Sequence, residues 1–325
     1  MYGVLLLAYS VNAADRQLFP LLAHDVRVQY GFSLSDTGLL TTIFTLGLAV
    51  AGLPTGYFLA RFSRKTVLLF GIGIFSAGTA LTVLARGFPD MLVYLAATGI
   101  GEAMQLTVMI AIAANYFVGY RAAAIGSMNV FFVIGAFSGP IVGGVLLASL
   151  RSWHAPMIAF GALGLAMIAV IAVSVRPWFS ETRRAAQAKA DVCGAPSLRN
   201  RNTVILTILS VIAGLVLYGF TGMYATYLRE ALHYTPKAAG FVQSFYGAGA
   251  LLSIFGGWFG DRFPPRAVLS VSFFAIAGLG YLCFHGSEAI ATHAGWALAG
   301  EIQISLLSAA AGSLALTLRP DQMSL

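Results

Sequence analysis

Four ionisable residues stand inside otherwise apolar stretches of this chain: Asp15, Arg16, Glu102 and Glu301. Burying a charge at membrane depth costs about 2.5–3.5 kcal/mol on insertion scales, so each is a candidate for chemistry. Carboxylates at Glu102 and Glu301 can pick up and release a proton; the alternative for each is a protonated or hydrogen-bonded brace between helices. Asp15 is either a second proton site or the resting partner of Arg16. A guanidinium fixed in a cavity suits a carboxylate or phosphate through paired hydrogen bonds. The alternative is that Arg16 snorkels to the surface. Asn12 lies four residues before Arg16 and shares its helix face, which Tyr9 extends; Gln105 lies three after Glu102. Tyr218, Thr221, Tyr224 and Tyr227 recur every three residues. This hydroxyl and aromatic stripe suits solute contact, with Tyr227 alternatively an interfacial tyrosine.

The elements that must hold these residues are membrane helices. The composition is 58% hydrophobic and 10% charged, against about 25% charged in soluble domains. Ten apolar runs reach the roughly 20 residues needed to span hydrocarbon: 2–22, 37–60, 66–86, 90–117, 122–149, 153–176, 203–228, 237–260, 267–286 and 289–318. Asp15 and Arg16 fall in the first, Glu102 in the fourth and Glu301 in the tenth. Glu102 lies roughly 18 Å into its span, near the midplane, and Arg16 about 9 Å from the outer end of its own. Thirteen of the nineteen Lys and Arg residues fall on one side of these spans and five on the other. The bias places the N-terminus and the linker 177–202 in the cytoplasm of a bacterial-type inner membrane.

The chain is written twice. Gly56, Arg61 and Val67-Leu68 recur as Gly257, Arg262 and Val268-Leu269 at an offset of 201, and Gly101-Glu102 recurs as Gly300-Glu301 at 199. Internal repeats in an apolar chain indicate a secondary transporter, in which spans one, four, seven and ten line the central cavity. The organisation expected is a six-helix bundle over 1–176, a linker over 177–202 and a second bundle over 203–325. That second bundle has four spans; the partners of spans five and six would fall near 320–375. The sequence therefore reads as a fragment truncated after the tenth helix, the alternative being a natural ten-span protein.

Other classes are poorly supported. The histidines (His24, His154, His233, His285 and His293) sit at outer ends without metal-ligand spacing, so no metal is assigned. The two cysteines form no framework. No P-loop, protease motif or cleavable signal peptide is evident, so neither an enzyme, a cofactor nor a nucleic-acid partner is expected. The expected partners are the lipid bilayer, protons and a small-molecule substrate, acting on a monomer. A channel is disfavoured because no ring of charges is visible.

The repeated segment resembles the loop signature of the major facilitator superfamily, whose usual form is G-x-L-a-D-r-x-G-R-[RK]. The first copy runs from Gly56 through Arg61 to Arg64-Lys65, with Ala60 at the acidic position; the second keeps the acid, as Gly257 to Asp261-Arg262. The resemblance implies an all-α membrane fold of two pseudo-symmetric six-helix halves. It also implies that Gly56, Arg61, Arg64, Lys65, Gly257, Asp261 and Arg262 form a cytoplasmic gate. Within the superfamily, Asn12-x-x-Asp15-Arg16 and Gly101-Glu102-Ala103 look like the spinster-like transporters and the anion:cation symporters. The first likeness implies proton coupling at Asp15 and Glu102; the second implies an organic-anion substrate. Gly135-x-x-x-Gly139-Pro140-x-x-Gly143 resembles the antiporter signature of drug:proton exchangers, and physically it is a small-residue packing face with a proline kink. The expected activity is proton-coupled organic-anion transport. Drug or amphiphile antiport, lipid transport of the spinster type and a non-transporting membrane protein stand as alternatives.

Overall fold

The computed structural model describes residues 1–182, 201–252 and 262–317, and every regular element among them is helical. The helices are α1 (Tyr2–Arg16), α2 (Leu18–Tyr30), α3 (Leu34–Val50), α4 (Gly52–Arg61), α5 (Arg64–Leu81), α6 (Phe88–Tyr116), α7 (Arg121–Leu150), α8 (His154–Ser174), α9 (Pro177–Ser180), α10 (Arg201–Glu230), α11 (Pro236–Gly249), α12 (Pro265–His285) and α13 (Ile290–Thr317). Five of them are long and apolar enough to cross a membrane, six if α3 and α4 form one span bent by 40°.

Prolines set the breaks. Pro20 has no N–H for the Arg16 carbonyl, and its ring would clash with that carbonyl in a continuous helix. The chain accordingly steps out of the helix at Gln17, whose N–H donates back to Ala14 O at 3.2 Å. Pro54 stands in the same relation to Val50, where α3 gives way to α4. The helical stretch runs past the expected apolar run 2–22, through His24, Asp25, Arg27 and Gln29. It continues as α2 to Tyr30 and stops at Gly31, whose φ of 70° favours glycine. Capping fixes other starts. Ser33 and Asp36 form a reciprocal capping box at α3, and the Ser63 hydroxyl accepts from Thr66 N at α5.

By proximity the chain divides into two compact units. The first gathers 1–187 with 221–244, the second 188–220 with 245–325. The repeat-based boundaries 1–176 and 203–325 cut differently, because the start of α11 and the end of α10 pack with the N-terminal helices. In the first unit, helix ends gather at two faces. At the linker face the Tyr2 hydroxyl donates to Ala124 O at 2.6 Å and its ring meets Phe117 and Phe179. At the opposite, distal face the Tyr30 hydroxyl donates to Ala85 O at 2.7 Å, and the Trp153 indole N–H donates to Gln29 Oε1 at 2.6 Å.

The buried apolar residues of this unit form two layers. One, toward the linker face, includes Leu5, Leu68, Ile72, Phe75, Met104, Val108 and Ile112. The other, toward the distal face, includes Leu18, Leu22, Leu40, Met91, Leu95 and Phe160. Along α1 and α6 the buried polar residues Asn12, Asp15, Thr98 and Glu102 fall between the two layers. Large apolar side chains such as Leu7, Phe70, Val93 and Val173 stay exposed on the outside, as lipid contact requires.

Glycine lets α7 lie against the first two helices. A Cβ on Gly135 would sit 2.0 Å from Ser10 O, one on Gly139 would sit 2.7 Å from Ala14 Cα, and one on Gly143 would sit 2.7 Å from Leu18 Cδ2. Pro140 lies on the neighbouring face, its carbonyl oxygen against Gly240 of α11. Gly135→Val is expected to force α1 and α7 apart, at a cost of about 3 kcal/mol. Thermal unfolding in detergent should show the lower midpoint; an unchanged midpoint would mean the helices do not need this approach.

In the second unit, α11 meets α13 closely at Glu301: a Cβ on Gly249 would lie 2.7 Å from Glu301 Cβ. Tyr246 interacts with Glu301 and stacks obliquely with Phe220 at 6.0 Å.

Candidate substrate and proton site

The first unit brings six polar side chains from three helices, five of them buried, to one level. The guanidinium of Arg16 donates from Nε to Glu102 Oε2 at 2.9 Å, linking α1 to α6. Glu102 is fully buried, and the Arg16 side chain is 17% exposed. Phe132 of α7 lies 5.5 Å from the guanidinium carbon, in cation–π range. One helical turn earlier, Asn12 Nδ2 donates to Gln105 Oε1 at 3.0 Å. The two rungs therefore join the same pair of helices at i, i+4 on α1 and i, i+3 on α6.

Asp15 faces elsewhere. Its Oδ2 accepts a 2.6 Å hydrogen bond from the Thr79 hydroxyl of α5. The sequence offered Asp15 as the resting partner of Arg16; the partner shown is Glu102, because adjacent residues on a helix point about 100° apart. Among the described residues, Asp15 Oδ1, Glu102 Oε1 and Asn12 Oδ1 are buried acceptors with no hydrogen-bond donor. Such lone pairs cost about 1–3 kcal/mol each when left unmet, so this level of the unit is built to take donors: protons, water or solute hydroxyls.

Thr221 and Tyr224 belong to the first unit, where Tyr224 is buried; Tyr218 and Glu301 belong to the second. The gate residues are partly resolved into contacts. Arg64 and Lys65 offer their backbone N–H groups to the two oxygens of Glu181, at 3.0 and 3.1 Å. Arg64 Nη1 reaches Thr182 O at 2.8 Å, and Lys65 Nζ donates to Ala172 O and Val175 O at 2.7 Å each. Glu181 thus caps α5, while Lys65 grips the end of α8 and Arg64 the end of α9. Arg61 stacks on Tyr57 at 4.2 Å, a Cβ on Gly56 would meet open space, and Arg262 is exposed. Gly257 and Asp261 lie outside the described residues.

Sequence reading missed two groups. Thr79 and Phe132 carried no signal, since a threonine or phenylalanine in an apolar helix is ordinary. The second group lies at the distal face. Arg27 donates from Nε and Nη2 to the two oxygens of Glu230, at 2.7 Å each, and His24 Nδ1 lies 3.1 Å from the same carboxylate. Arg229 pairs with Asp25. Opposite charges at the ends of spans one and seven, about one repeat apart, were the available signal.

The chain matches the Major Facilitator Superfamily model over residues 5–323. It is 27% identical over 164 residues to the probable L-galactonate transporter of Escherichia coli, covering 50% of this chain and 36% of that protein. It is 27% identical over 169 residues to Protein spinster of Drosophila melanogaster, covering 52% and 28%. The chain thus aligns with less than half the length of either. Its fold superimposes with a TM-score of 0.79, at 21% identity, on a bacterial homologue of the human lysosomal transporter spinster, solved inward-facing and unoccupied; the match covers 97% of this chain and 74% of that one.

Proposed function

Because the chain belongs to the Major Facilitator Superfamily, a family of membrane transporters, we propose that it moves a small organic anion with protons by alternating access. The observation that carries this reading is the Arg16–Glu102 pair, buried between two apolar layers. While Glu102 is ionised it occupies the guanidinium. A proton placed on Glu102 removes that charge and frees Arg16 to bond a solute carboxylate. The guanidinium and one anion then balance, so proton and solute are loaded together. Releasing the solute lets Glu102 reclaim Arg16 and give up the proton. Asp15, bonded to Thr79, is a second proton carrier, and Glu301 a third in the second unit. Asn12, Gln105, Tyr218, Thr221 and Tyr224 shape the solute site.

L-galactonate, named for one relative, is an anion of the required kind. The thirteen-to-five bias of basic residues supports a cytoplasmic N-terminus and linker. A monomer in a bacterial-type plasma membrane fits this reading.

The test is uptake of L-galactonate by the full chain in proteoliposomes under an imposed pH gradient. Glu102→Gln, a fixed mimic of the protonated acid, should abolish gradient-driven accumulation and keep solute exchange at zero gradient. Accumulation that survives in Glu102→Gln would sink the proton role.

A further inference from the structure

A cavity of about 800 Å³ opens at the distal face of the first unit. Its size lies within the roughly 300–1,000 Å³ of small-molecule sites. It is lined by the end of α2, the α7–α8 connection and the start of α11, including His24, Asp25, Arg151, Trp153, His154 and Lys237.

The charges that line it are unequal. The acid, Asp25, is taken by Arg229, and the neighbouring Glu230 is taken by Arg27 and His24. Arg151 and Lys237 have no hydrogen bond or ion pair among the described residues, so two cations face the cavity unanswered. His154 adds an imidazole ring, stacked on Trp153 at 4.1 Å and 3.1 Å from the Ser152 hydroxyl.

Arg151 is also placed against its own backbone preference. It ends α7 with φ 51°, ψ 32°, in the left-handed region where glycine is the usual residue. The helix dipole favours a cation here, but the left-handed backbone does not favour a non-glycine residue.

We propose that this cavity is a second binding site, for a small anion carrying a carboxylate or phosphate group, held between Arg151 and Lys237. It lies beside the ion pairs at the distal face and apart from the Arg16–Glu102 pair. An anion bound there waits at the distal entrance, whichever solute the central site takes.

The full chain in neutral detergent would be titrated with sodium phosphate, at ionic strength held constant with sodium chloride, following the tryptophan emission that Trp153→Phe removes. A saturable change is expected. Arg151→Gly and Lys237→Gln should each raise the midpoint about tenfold or more, the loss of one charge-assisted contact. Arg151→Gly suits the left-handed backbone, so its effect is not one of misfolding; an unchanged unfolding midpoint checks this. Repeating the titration in nanodiscs separates the sources. A response kept in phosphatidylglycerol supports a site for soluble anions, whereas one lost there and kept in phosphatidylcholine supports a site for lipid headgroups. A linear response, or one unchanged in the double variant Arg151→Gly/Lys237→Gln, overturns the proposal.

Discussion

Arg16→Met is expected to lower stability by about 3–5 kcal/mol, because it leaves the Glu102 carboxylate buried without its counter-charge. Adding Glu102→Met should restore most of the loss. With both charges gone, two apolar side chains of similar volume fill the space between the layers, and such replacements run from neutral to about 1–4 kcal/mol stabilising. Anion uptake, by contrast, should stay at background in both variants, since the guanidinium is what the solute would bond. Unfolding midpoints in detergent and uptake in proteoliposomes separate the two effects. A double variant as unstable as the single would place the damage in lost packing around Phe132. A double variant that still accumulates anion would remove Arg16 from the mechanism.

Glu230→Arg should open the distal face. The change replaces a carboxylate holding Arg27 and His24 with a third cation. Hydrogen bonds to charged partners are worth about 1.5–3 kcal/mol, and partial exposure of both side chains places this pair near the lower end. The distal-open population should therefore rise about tenfold or more. A cysteine in place of Tyr224, otherwise buried, would report it through faster alkylation by a membrane-impermeant maleimide. The exchanged pair Arg27→Glu/Glu230→Arg should slow the reaction again; failure to do so would deny the pair a closing role.

Acid should not mimic this variant. Glu230 lies beyond the apolar run 203–228. Burial pushes its carboxyl up, but hydrogen bonds from Arg27 and His24, and their charges, outweigh that and hold it below its ordinary value of 4.5. A depressed carboxylate stabilises the paired state above its unfolded pKa and loses that contribution only as pH falls through the folded one. With the pair intact, alkylation of the Tyr224→Cys reporter, normalised at each pH to a fully exposed cysteine so that the thiolate fraction cancels, should thus stay flat from pH 7 to about pH 5.

How much of this was legible in the sequence depends on the kind of residue. Asp15, Arg16 and Glu102 stood out because an apolar helix gives a charge no ordinary reason to be there. The α7 glycines stood out through their four-residue spacing. The helices themselves followed from hydropathy, with ends good to a few residues. The break within the first did not, because Pro20 interrupts the hydrogen-bond ladder without ending the apolar run. Thr79 was hidden because its importance is conferred by Asp15, across 64 positions of chain. Pairing was the general blind spot. Sequence showed that Arg16 needs an anion but not which of two carboxylates supplies it, since that depends on rotation about the α1 axis.

The interruption at Gln17 has a mechanical consequence. A helix broken at mid-depth would ordinarily be a swivel, its halves free to tilt apart. Here α7 lies along both halves, touching Ser10 and Ala14 before the break and Leu18 after it, with Gln243 of α11 donating to the Gln17 carbonyl at 3.3 Å. The joint is splinted. Any stroke that tilts one half must carry α7 with it, so Arg16, one residue before the joint, travels with a three-part strut and not with a loose segment.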